Sequence, residues 1–229
     1  MTDLRTDEIR TRITREAVRR LAGRRAVALD LADIAAASGT DPELAGKSFP
    51  GEWDLLTALV LDAYSAMSDS AEAASAAAVA EGASPIEHWT AICLGVRRWA
   101  LDHPDEYALI WGQPVPGYSA PPETMAAGAR TVLALLGVLH KAREDGRLNS
   151  HDDDPALSAG MRANVSALAE GLLNGLPEPV IARMLVAWTQ LHGMVAFDVY
   201  GHIAGVAADP EAFFTYAAAG MGAYVGLPR

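Results

Sequence analysis

A chain of 229 residues in which 51% of the side chains are hydrophobic can bury a core of its own, which excludes a largely disordered protein. The formal net charge of −11 argues against indiscriminate binding to nucleic acid. Cys93 is the only cysteine, so an intrachain disulfide is excluded and we expect a reducing, cytoplasmic setting.

The charge is distributed unevenly along the chain. Residues 1–50 carry nine basic and eight acidic side chains, a net charge of +1, and the remaining residues carry −12. The charged N-terminus lacks the apolar stretch of a signal peptide. The most apolar run, residues 184–208, contains Gln190, His192, Asp198 and His202. It therefore predicts a buried or interface helix rather than a membrane span, and we expect no membrane partner.

Three helices are predicted in the first 50 residues. The first covers residues 6–22, where apolar side chains recur every four residues on one face, at Ile9, Ile13, Ala17 and Leu21. Asp30 can cap a short helix that ends near Ala37, and Gly39 supplies a tight turn. Asp41 can cap the next short helix, with Pro42 at its first position.

The rest of the chain also predicts helices. Residues 112–123 contain four prolines and predict a loop, and the acidic run before residue 155 offers carboxylates that could cap a helix. No alternation of polar and apolar residues is long enough for a sheet, so the predicted fold is all-α. The predicted helices cover residues 51–80, 85–100, 104–111, 123–145, 155–174, 178–204 and 210–225.

Residues 31–49 have the spacing of a helix-turn-helix. Such a motif needs a support helix, a tight turn with glycine, and a second short helix whose outer face meets the major groove of DNA. Inward and turn positions are filled at suitable spacing by Ile34, Ala35, Gly39, Leu44 and Phe49. A helical hairpin without a ligand can imitate this pattern, so that alternative stays open here.

The segment from Ile34 to Leu56, IAAASGTDPELAGKSFPGEWDLL, resembles without gaps the N-terminal signature of the TetR family of transcription regulators. The matching positions are packing positions: Ile34, Ala35, Gly39, Phe49, Leu55 and Leu56. Residues 187–203, with a Trp…His-Gly pattern, and residues 100–111, with a His-Pro pair, resemble one subgroup of TetR-type regulatory domains. The resemblance implies a helix-turn-helix domain at 1–50 and a helical regulatory, ligand-binding and dimerisation domain at 51–229.

The departures from the family signature fall on positions that contact DNA. Asp41 replaces a serine cap, Glu43 and Leu44 replace a glycine–threonine pair, Gly46 replaces a tyrosine, Ser48 replaces a histidine, and Glu52 replaces a lysine. Losing two phosphate contacts is expected to weaken nonspecific binding and to flatten its dependence on salt.

The resemblance implies a ligand-responsive regulator that binds operator DNA as a homodimer, and we expect a repressor released by a small apolar effector. The residues expected near DNA are Arg24, Arg25, Thr40, Pro42, Glu43, Lys47 and Ser48. An alternative is a dimeric ligand-binding or protein-interaction module that keeps the fold but has lost DNA recognition. The acidic residues at 41–54 motivate that alternative.

Large, partly polar side chains on the middle helices are candidates for an effector pocket, because aromatic residues and methionine suit an apolar ligand. Ordinary core packing is the competing role for each of them. The candidates are Tyr64, Met67, Trp89, Cys93, Trp99, Tyr107, Trp111, Met125 and His140.

A dimer interface is expected on the penultimate helix, where Trp188, His192 and Val195 share one face. His192 could equally be a buried core residue. Asp198 and His202 could both reach one metal ion, but two ligands are too few for a structural site. His151 with the aspartates after it could attract a cation, but helix capping explains that cluster, so no metal or cofactor is expected. No catalytic motif is present, so an enzyme is not expected.

Overall fold

The computed structural model describes residues 2–23, 30–151 and 154–228. Within these ranges the chain forms ten α-helices and no strand, which confirms the predicted all-α fold. The helices are α1 (Thr2–Gly23), α2 (Leu31–Ala37), α3 (Pro42–Ser48), α4 (Glu52–Ala80), α5 (Pro85–Asp102), α6 (Pro104–Trp111), α7 (Pro122–Glu144), α8 (Ala159–Glu170), α9 (Glu178–Val199) and α10 (Pro210–Tyr224).

Two helices are shorter than their sequence pattern predicts. The helix predicted at 155–174 begins only at Ala159, because Ser158 caps it by accepting the Met161 N–H at 3.3 Å. Asp154, one of the predicted caps upstream, pairs instead with Arg183 at 2.9 Å. Asp152 and Asp153 lie outside the described residues. The helix predicted to reach residue 204 ends at Val199, and Gly201 follows with a φ of +74°.

The chain divides into two compact units. Unit 1 comprises Met1–Ala66 and Asp102–Gly128, and unit 2 comprises Met67–Leu101 and Ala129–Arg229. These boundaries differ from the predicted division near residue 50. In unit 1, α6 packs on α1, and the first half of α4 contributes Leu55, Leu56 and Leu59 to the same core as the first three helices.

The core of unit 1 is built from the apolar stripe of α1 and the inner faces of the next three helices. Ile13 and Ala17 of α1 are fully buried, and Ile9 and Leu21 pack against the same cluster, as their four-residue spacing predicts. The other buried members of the cluster are Ile34, Ala35, Ala45, Phe49, Leu55, Leu56 and Leu59.

Unit 2 is organised around α5 and α9. Gly95 allows α5 to approach α4 closely, because a Cβ at this position would lie 2.8 Å from the Ser70 carbonyl oxygen. Helix α9 is long and apolar enough to cross a membrane by length and composition alone. However, the buried residues of α9 include Arg183 and His192, which is typical of a core helix in a folded domain.

A buried ion pair joins three helices of unit 2. Arg97 Nε of α5 donates to Asp198 Oδ2 of α9 at 2.7 Å, and both side chains are about nine-tenths buried. Glu211 of α10 lies 3.6 Å from the same guanidinium, and the ring centroid of Phe214 lies 5.5 Å from it. Asp198 is therefore the shortest charged contact of Arg97, and Glu211 and Phe214 supplement it.

We expect Asp198→Ala to lower the free energy of unfolding by about 3 kcal/mol, because it leaves a buried guanidinium with only the longer contacts to Glu211 and Phe214. Asp145→Ala is the matched control, since it removes the carboxylate partner of the exposed Lys141 and is expected to cost about 0.5 kcal/mol or less. Urea denaturation measures both. Equal losses in the two variants would contradict the role assigned to the buried pair.

His192 is predicted to make stability depend on pH. Burial lowers the pKa of His192 from 6.5 to about 3. Between these two values the unfolded chain binds a proton that the folded chain does not, so stability falls as the pH falls through this window. The slope from this residue is about 1.4 kcal/mol per pH unit at most.

We expect His192→Leu to flatten the dependence of the unfolding free energy on pH between pH 6.5 and about pH 4, the upper part of the window set by the lowered pKa. His151→Leu, which makes the same substitution at an exposed histidine, serves as the control. The measurement is chemical denaturation at a series of pH values. A slope in His192→Leu equal to that of the unaltered chain would show that His192 does not contribute.

Candidate functional site

The helix-turn-helix of unit 1 has the predicted caps and turn. Asp30 Oδ1 accepts the N–H of Ala32 at 2.9 Å to start α2, and Asp41 Oδ1 accepts the N–H of Glu43 at 2.8 Å to start α3. Between the helices, Gly39 adopts a φ of +66°, a conformation that residues with a Cβ rarely adopt. Helix α3 buries Ala45 and leaves its opposite side exposed.

Arg10 of α1 holds the end of α3 in place. Its Nη1 donates to the carbonyl oxygen of Ser48 at 3.0 Å, and its guanidinium carbon lies 4.6 Å from the centroid of the Phe49 ring. A cation over an aromatic face and a bond to a helix-terminal carbonyl are both favourable. Sequence reasoning missed this residue. The available signal was its place three residues before Ile13, beside the apolar stripe of α1.

Most basic side chains of unit 1 that the structure describes are already paired with carboxylates. On α3, Lys47 Nζ lies 2.7 Å from Glu43 Oε1, and on α1, Arg12 lies 2.5 Å from Glu8. Arg19 and Arg20 both donate to Glu16, and hydrogen bonding from Arg19 is the largest cause that lowers the pKa of Glu16 to about 2.

Besides Arg10, which donates to a backbone carbonyl, Arg15 is the exception on the described part of α1. It is exposed and makes no hydrogen bond or ion pair with another described residue. The unit 1 surface therefore presents charge that is largely compensated rather than a strong positive field, and any attraction to phosphate depends on few groups.

The structure places the predicted DNA-binding residues in three different environments. Arg24 and Arg25 lie outside the described residues. Pro42, Glu43 and Lys47 are exposed on α3, where a groove contact would need them. Ser48 is half-buried, and its hydroxyl donates to the carbonyl oxygen of Leu44 at 3.1 Å.

Thr40 differs from its predicted role. It is only 8% exposed, and its hydroxyl lies 3.0 Å from that of Ser38 inside the turn. The prediction of a side-chain contact with DNA at this position is therefore corrected: Thr40 stabilises the turn between α2 and α3. Its side chain points inward because the polar groups buried in this turn need hydrogen-bond partners.

A cavity of about 290 Å³ lies within unit 1, between α4, α6, the loop that follows α6 and the start of α7. The lining side chains are mostly aliphatic, with tyrosine and threonine as the polar members and no charged residue among them. They are Leu56, Val60, Tyr64, Leu109, Ile110, Gly112, Pro114, Val115, Tyr118, Ala120, Thr124 and Met125.

Of the nine predicted pocket residues, Tyr64 and Met125 line this cavity. Trp111 lies behind the wall, with its ring edge-on to Tyr64 at a centroid distance of 6.3 Å. The other predicted residues do not line this cavity, and a pocket role for them stays a prediction. Met67, Trp89, Cys93, Trp99 and Tyr107 are core residues with 5% exposure or less, and His140 is half-buried in unit 2.

Trp89, Trp99 and Tyr107 fill the core rather than surround this cavity, because burying a large aromatic ring contributes strongly to core stability. The cavity wall instead comes from aliphatic residues and from the loop after α6. Aliphatic and loop residues of this kind have no sequence pattern that predicts a cavity. Cys93 is also explained by packing, since burial raises the pKa of its thiol and keeps it unreactive.

The predicted interface residues on α9 lie mostly inside the protomer. His192 is 8% exposed and Val195 is fully buried, and Trp188 is half-buried with its ring centroid 4.4 Å from that of His192. The prediction of an interface at His192 and Val195 is therefore corrected. The exposed apolar side chains of α9 are Val186 and Phe197, on the opposite face.

The two candidate cation sites are accounted for by other contacts or lie partly outside the described residues. Asp198 is paired with Arg97, and His202 packs against Phe197 with ring centroids 5.4 Å apart. His151 is exposed, and the two aspartates after it lie outside the described ranges. In the described part of the chain, no three His, Cys, Asp or Glu side chains are placed to hold a metal ion.

Comparison with known proteins identifies the family. Residues 89–221, more than half of the chain, match the family model for the tetracyclin repressor-like C-terminal domain. This chain belongs to the TetR family. As a TetR-family member it is a helix-turn-helix transcription regulator and not an enzyme.

Relatives extend the TetR assignment over nearly the whole chain. The HTH-type transcriptional regulator Rv1816 of Mycobacterium tuberculosis is 28% identical over 212 residues, which cover 91% of this chain and 88% of that protein. The regulator Mb1846 of Mycobacterium bovis matches to the same extent.

Solved structures support the same TetR architecture. The crystal structure of SCO4313, assigned as a regulatory protein, has a TM-score of 0.72 and 26% identity, and covers 96% of this chain and 97% of that chain. A TetR family transcription regulator from Marinobacter aquaeolei VT8 has a TM-score of 0.65 with 15% identity over 96% of this chain and 97% of that one, which shows the shared fold.

The pairing on α3 generates a prediction about the electrostatics of this TetR-family surface. We expect Glu43→Gln to release Lys47, which can then contact a phosphate. The slope of log K against log salt for binding to random-sequence DNA should then become steeper by up to about 0.9, the value for one phosphate contact. Fluorescence anisotropy over a salt series measures the slope.

The control for this variant is Glu81→Gln, which removes an equal charge from an exposed position at the end of α4, in a turn of unit 2. It is expected to leave the slope unchanged. If both variants alter the slope equally, the effect comes from net charge alone, and the role assigned to the Lys47–Glu43 pair is wrong.

Proposed function

We propose that this chain is a cytoplasmic, ligand-responsive regulator that binds operator DNA through α3 and acts as a repressor released by a small apolar effector. The observation that carries the proposal is the complete helix-turn-helix frame of unit 1. Its caps at Asp30 and Asp41, its glycine turn and its Arg10 brace are all formed, and α3 keeps Pro42, Glu43 and Lys47 exposed.

The carboxylates on this surface are compatible with DNA binding because their ion pairs are weak. An exposed pair four residues apart on a helix contributes about 0.3–0.5 kcal/mol, so Lys47 can exchange Glu43 for a phosphate at small cost. Glu43 can then accept a hydrogen bond from a cytosine amino group in the major groove. Specific binding with a modest salt dependence is expected from such a surface.

A homodimer joined through α8 and α9 is part of the proposal. The exposed face of α9 carries Val186 and Phe197, which are 44% and 53% exposed, and Leu172 after α8 is 41% exposed. Gly193 lies between the two α9 residues, and a Cβ there would meet nothing within 4 Å. A second copy packed on this face would cover large apolar side chains that are unusual on a monomer surface.

The proposed effector site is the cavity of unit 1. Its aliphatic lining suits an apolar ligand, and its volume lies near the lower limit of small-molecule pockets. A ligand regulates DNA binding only if it has different affinities for the DNA-binding and released conformations. A cavity whose walls belong to the same compact unit as the helix-turn-helix can provide such a difference.

The alternative function, a dimeric ligand-binding or protein-interaction module without specific DNA binding, is favoured by one observation. Lys47 is the only basic residue of α3, and it is neutralised by Glu43. Asp41 and Asp54 are exposed nearby in the sequence. The two functions make different predictions for the same experiment.

We expect a sequence-specific complex between the purified chain and the region upstream of its own gene, measured by gel shift at several salt concentrations. Lys47→Ala is expected to weaken this complex by about tenfold, which corresponds to one good contact to a base or phosphate. Lys141→Ala is the control, because Lys141 is also exposed and paired four residues away but lies on α7 in unit 2.

The absence of a specific complex even at low salt would favour the module without DNA recognition. A complex that Lys47→Ala leaves unchanged would keep the regulator function but move the DNA-contacting surface away from α3.

A further inference from the structure

The unit 1 cavity contains one uncommitted polar group. Thr124 donates its hydroxyl to the Pro121 carbonyl oxygen at 2.7 Å, and Tyr118 Oη lies 3.0 Å from Thr57 Oγ1. The hydroxyl of Tyr64 makes no hydrogen bond with another described residue. Partial burial raises the pKa of Tyr64, so the phenol is neutral at physiological pH and can donate or accept one hydrogen bond.

The lining also sets the charge and the size of a ligand. No acidic or basic side chain lines the cavity, so a charged ligand would lose its hydration without gaining a partner. A volume of about 290 Å³ holds about ten heavy atoms at the roughly 30 Å³ that a water molecule occupies in the liquid.

Residues 112–121, the loop after α6, form a strap that touches both the cavity and the helix-turn-helix core. Val115 and Tyr118 line the cavity, and the same two side chains pack against the core cluster that contains Ile34 and Phe49. Trp53, at the start of α4, stacks near Tyr118 with a centroid distance of 5.7 Å. A ligand in the cavity therefore contacts side chains that also pack on the core cluster shared by α1, α2, α3 and α4.

We propose that this cavity binds a small, neutral, largely apolar molecule with one hydrogen-bonding group that pairs with Tyr64, and that Tyr118 transmits its binding to the helix-turn-helix. The inference rests on the proposed function for its regulatory meaning, but the binding and the coupling can be measured without DNA. Tyr118 is a positioning residue here, since its bond to Thr57 ties the strap to α4.

The hydrogen bond between Tyr118 and Thr57 is the expected point of control. A bond of ordinary strength changes a two-state equilibrium by about fivefold. A ligand that alters the position of Tyr118 would shift the opening of α2 and α3 by a similar factor. Leu109 of α6 provides a parallel route, because it lines the cavity and packs on the same core cluster.

The binding test uses three probes of similar size on the full-length protein: para-propylphenol, propylbenzene and para-ethylbenzoate. Isothermal titration calorimetry is expected to give the highest affinity for the phenol. The benzoate should bind at least about tenfold more weakly because its charge has no partner in the cavity. Tyr64→Phe should remove the preference for the phenol over propylbenzene while keeping the affinity for propylbenzene.

A cavity-filling variant locates the site. Ala120→Trp places a large side chain on the cavity wall and should weaken para-propylphenol by about tenfold or more. Ala126→Trp is the control, because Ala126 is exposed on α7 and does not line the cavity. Circular dichroism and thermal melting show whether each variant is folded. Equal binding of phenol and benzoate, or binding unaffected by Ala120→Trp, would overturn the assignment of the cavity.

The coupling test is amide hydrogen exchange of residues 31–48 with and without para-propylphenol. In the unaltered chain the probe is expected to change exchange by about fivefold, the effect of one hydrogen bond. Thr57→Val removes that bond at a residue that does not line the cavity, and it should abolish the change while leaving probe binding intact. Tyr118→Phe removes the same bond and should also abolish the change, with its affinity for the probe measured separately because Tyr118 lines the cavity. Thr215→Val, which removes a hydroxyl bonded within α10, is the control.

Coupling that persists in both Tyr118→Phe and Thr57→Val would overturn the role of Tyr118. If the probe changes hydrogen exchange but the chain binds no operator, the proposed function is refuted and this inference is supported. The two failures are therefore distinguishable.

Discussion

The packing of Phe49 is the constraint on which the helix-turn-helix depends. Its ring is 1% exposed within the core cluster, its backbone N–H donates to the Ala45 carbonyl at 2.9 Å, and the Arg10 guanidinium covers its outer face. These contacts hold the end of α3 against α1 and α4. The orientation of the exposed side of α3, and hence any contact with DNA, follows from them.

In this arrangement, the residues that determine the helix-turn-helix fold differ from those on the surface that would contact DNA. Apart from the turn residue Gly39, the residues that match the TetR signature are buried and determine the fold, whereas the departures from it are exposed or half-buried. Asp41 shows how a departure can be neutral for the fold, because an aspartate caps α3 as well as a serine would. The fold can therefore be kept while the surface charge, and with it the DNA affinity, changes in evolution.

The fold could be predicted from the sequence because periodic apolar positions and capping residues are local signals. Ile9, Ile13, Ala17 and Leu21 all face the core, and the caps at Asp30 and Asp41 are formed. The sites were harder to predict because they depend on which face of a helix meets a neighbour. An aromatic residue such as Trp89 has the composition of a pocket residue, yet its ring is buried in the core.

The location of the cavity bears on how a ligand could act. A ligand bound in a separate unit would need a rigid connection to reach α3, but the unit 1 cavity shares Val115, Tyr118 and Leu109 with the core that supports α2 and α3. Closely packed interiors transmit small displacements because they cannot absorb them in empty space. Making or breaking one hydrogen bond of the strap changes the free energy by about 1 kcal/mol, which is comparable with the contribution of a weak surface ion pair such as that on α3. A fivefold effect at the strap changes the DNA-bound fraction most where the bound and released states are close in free energy, which is the balance that a surface with few groups attracting DNA favours.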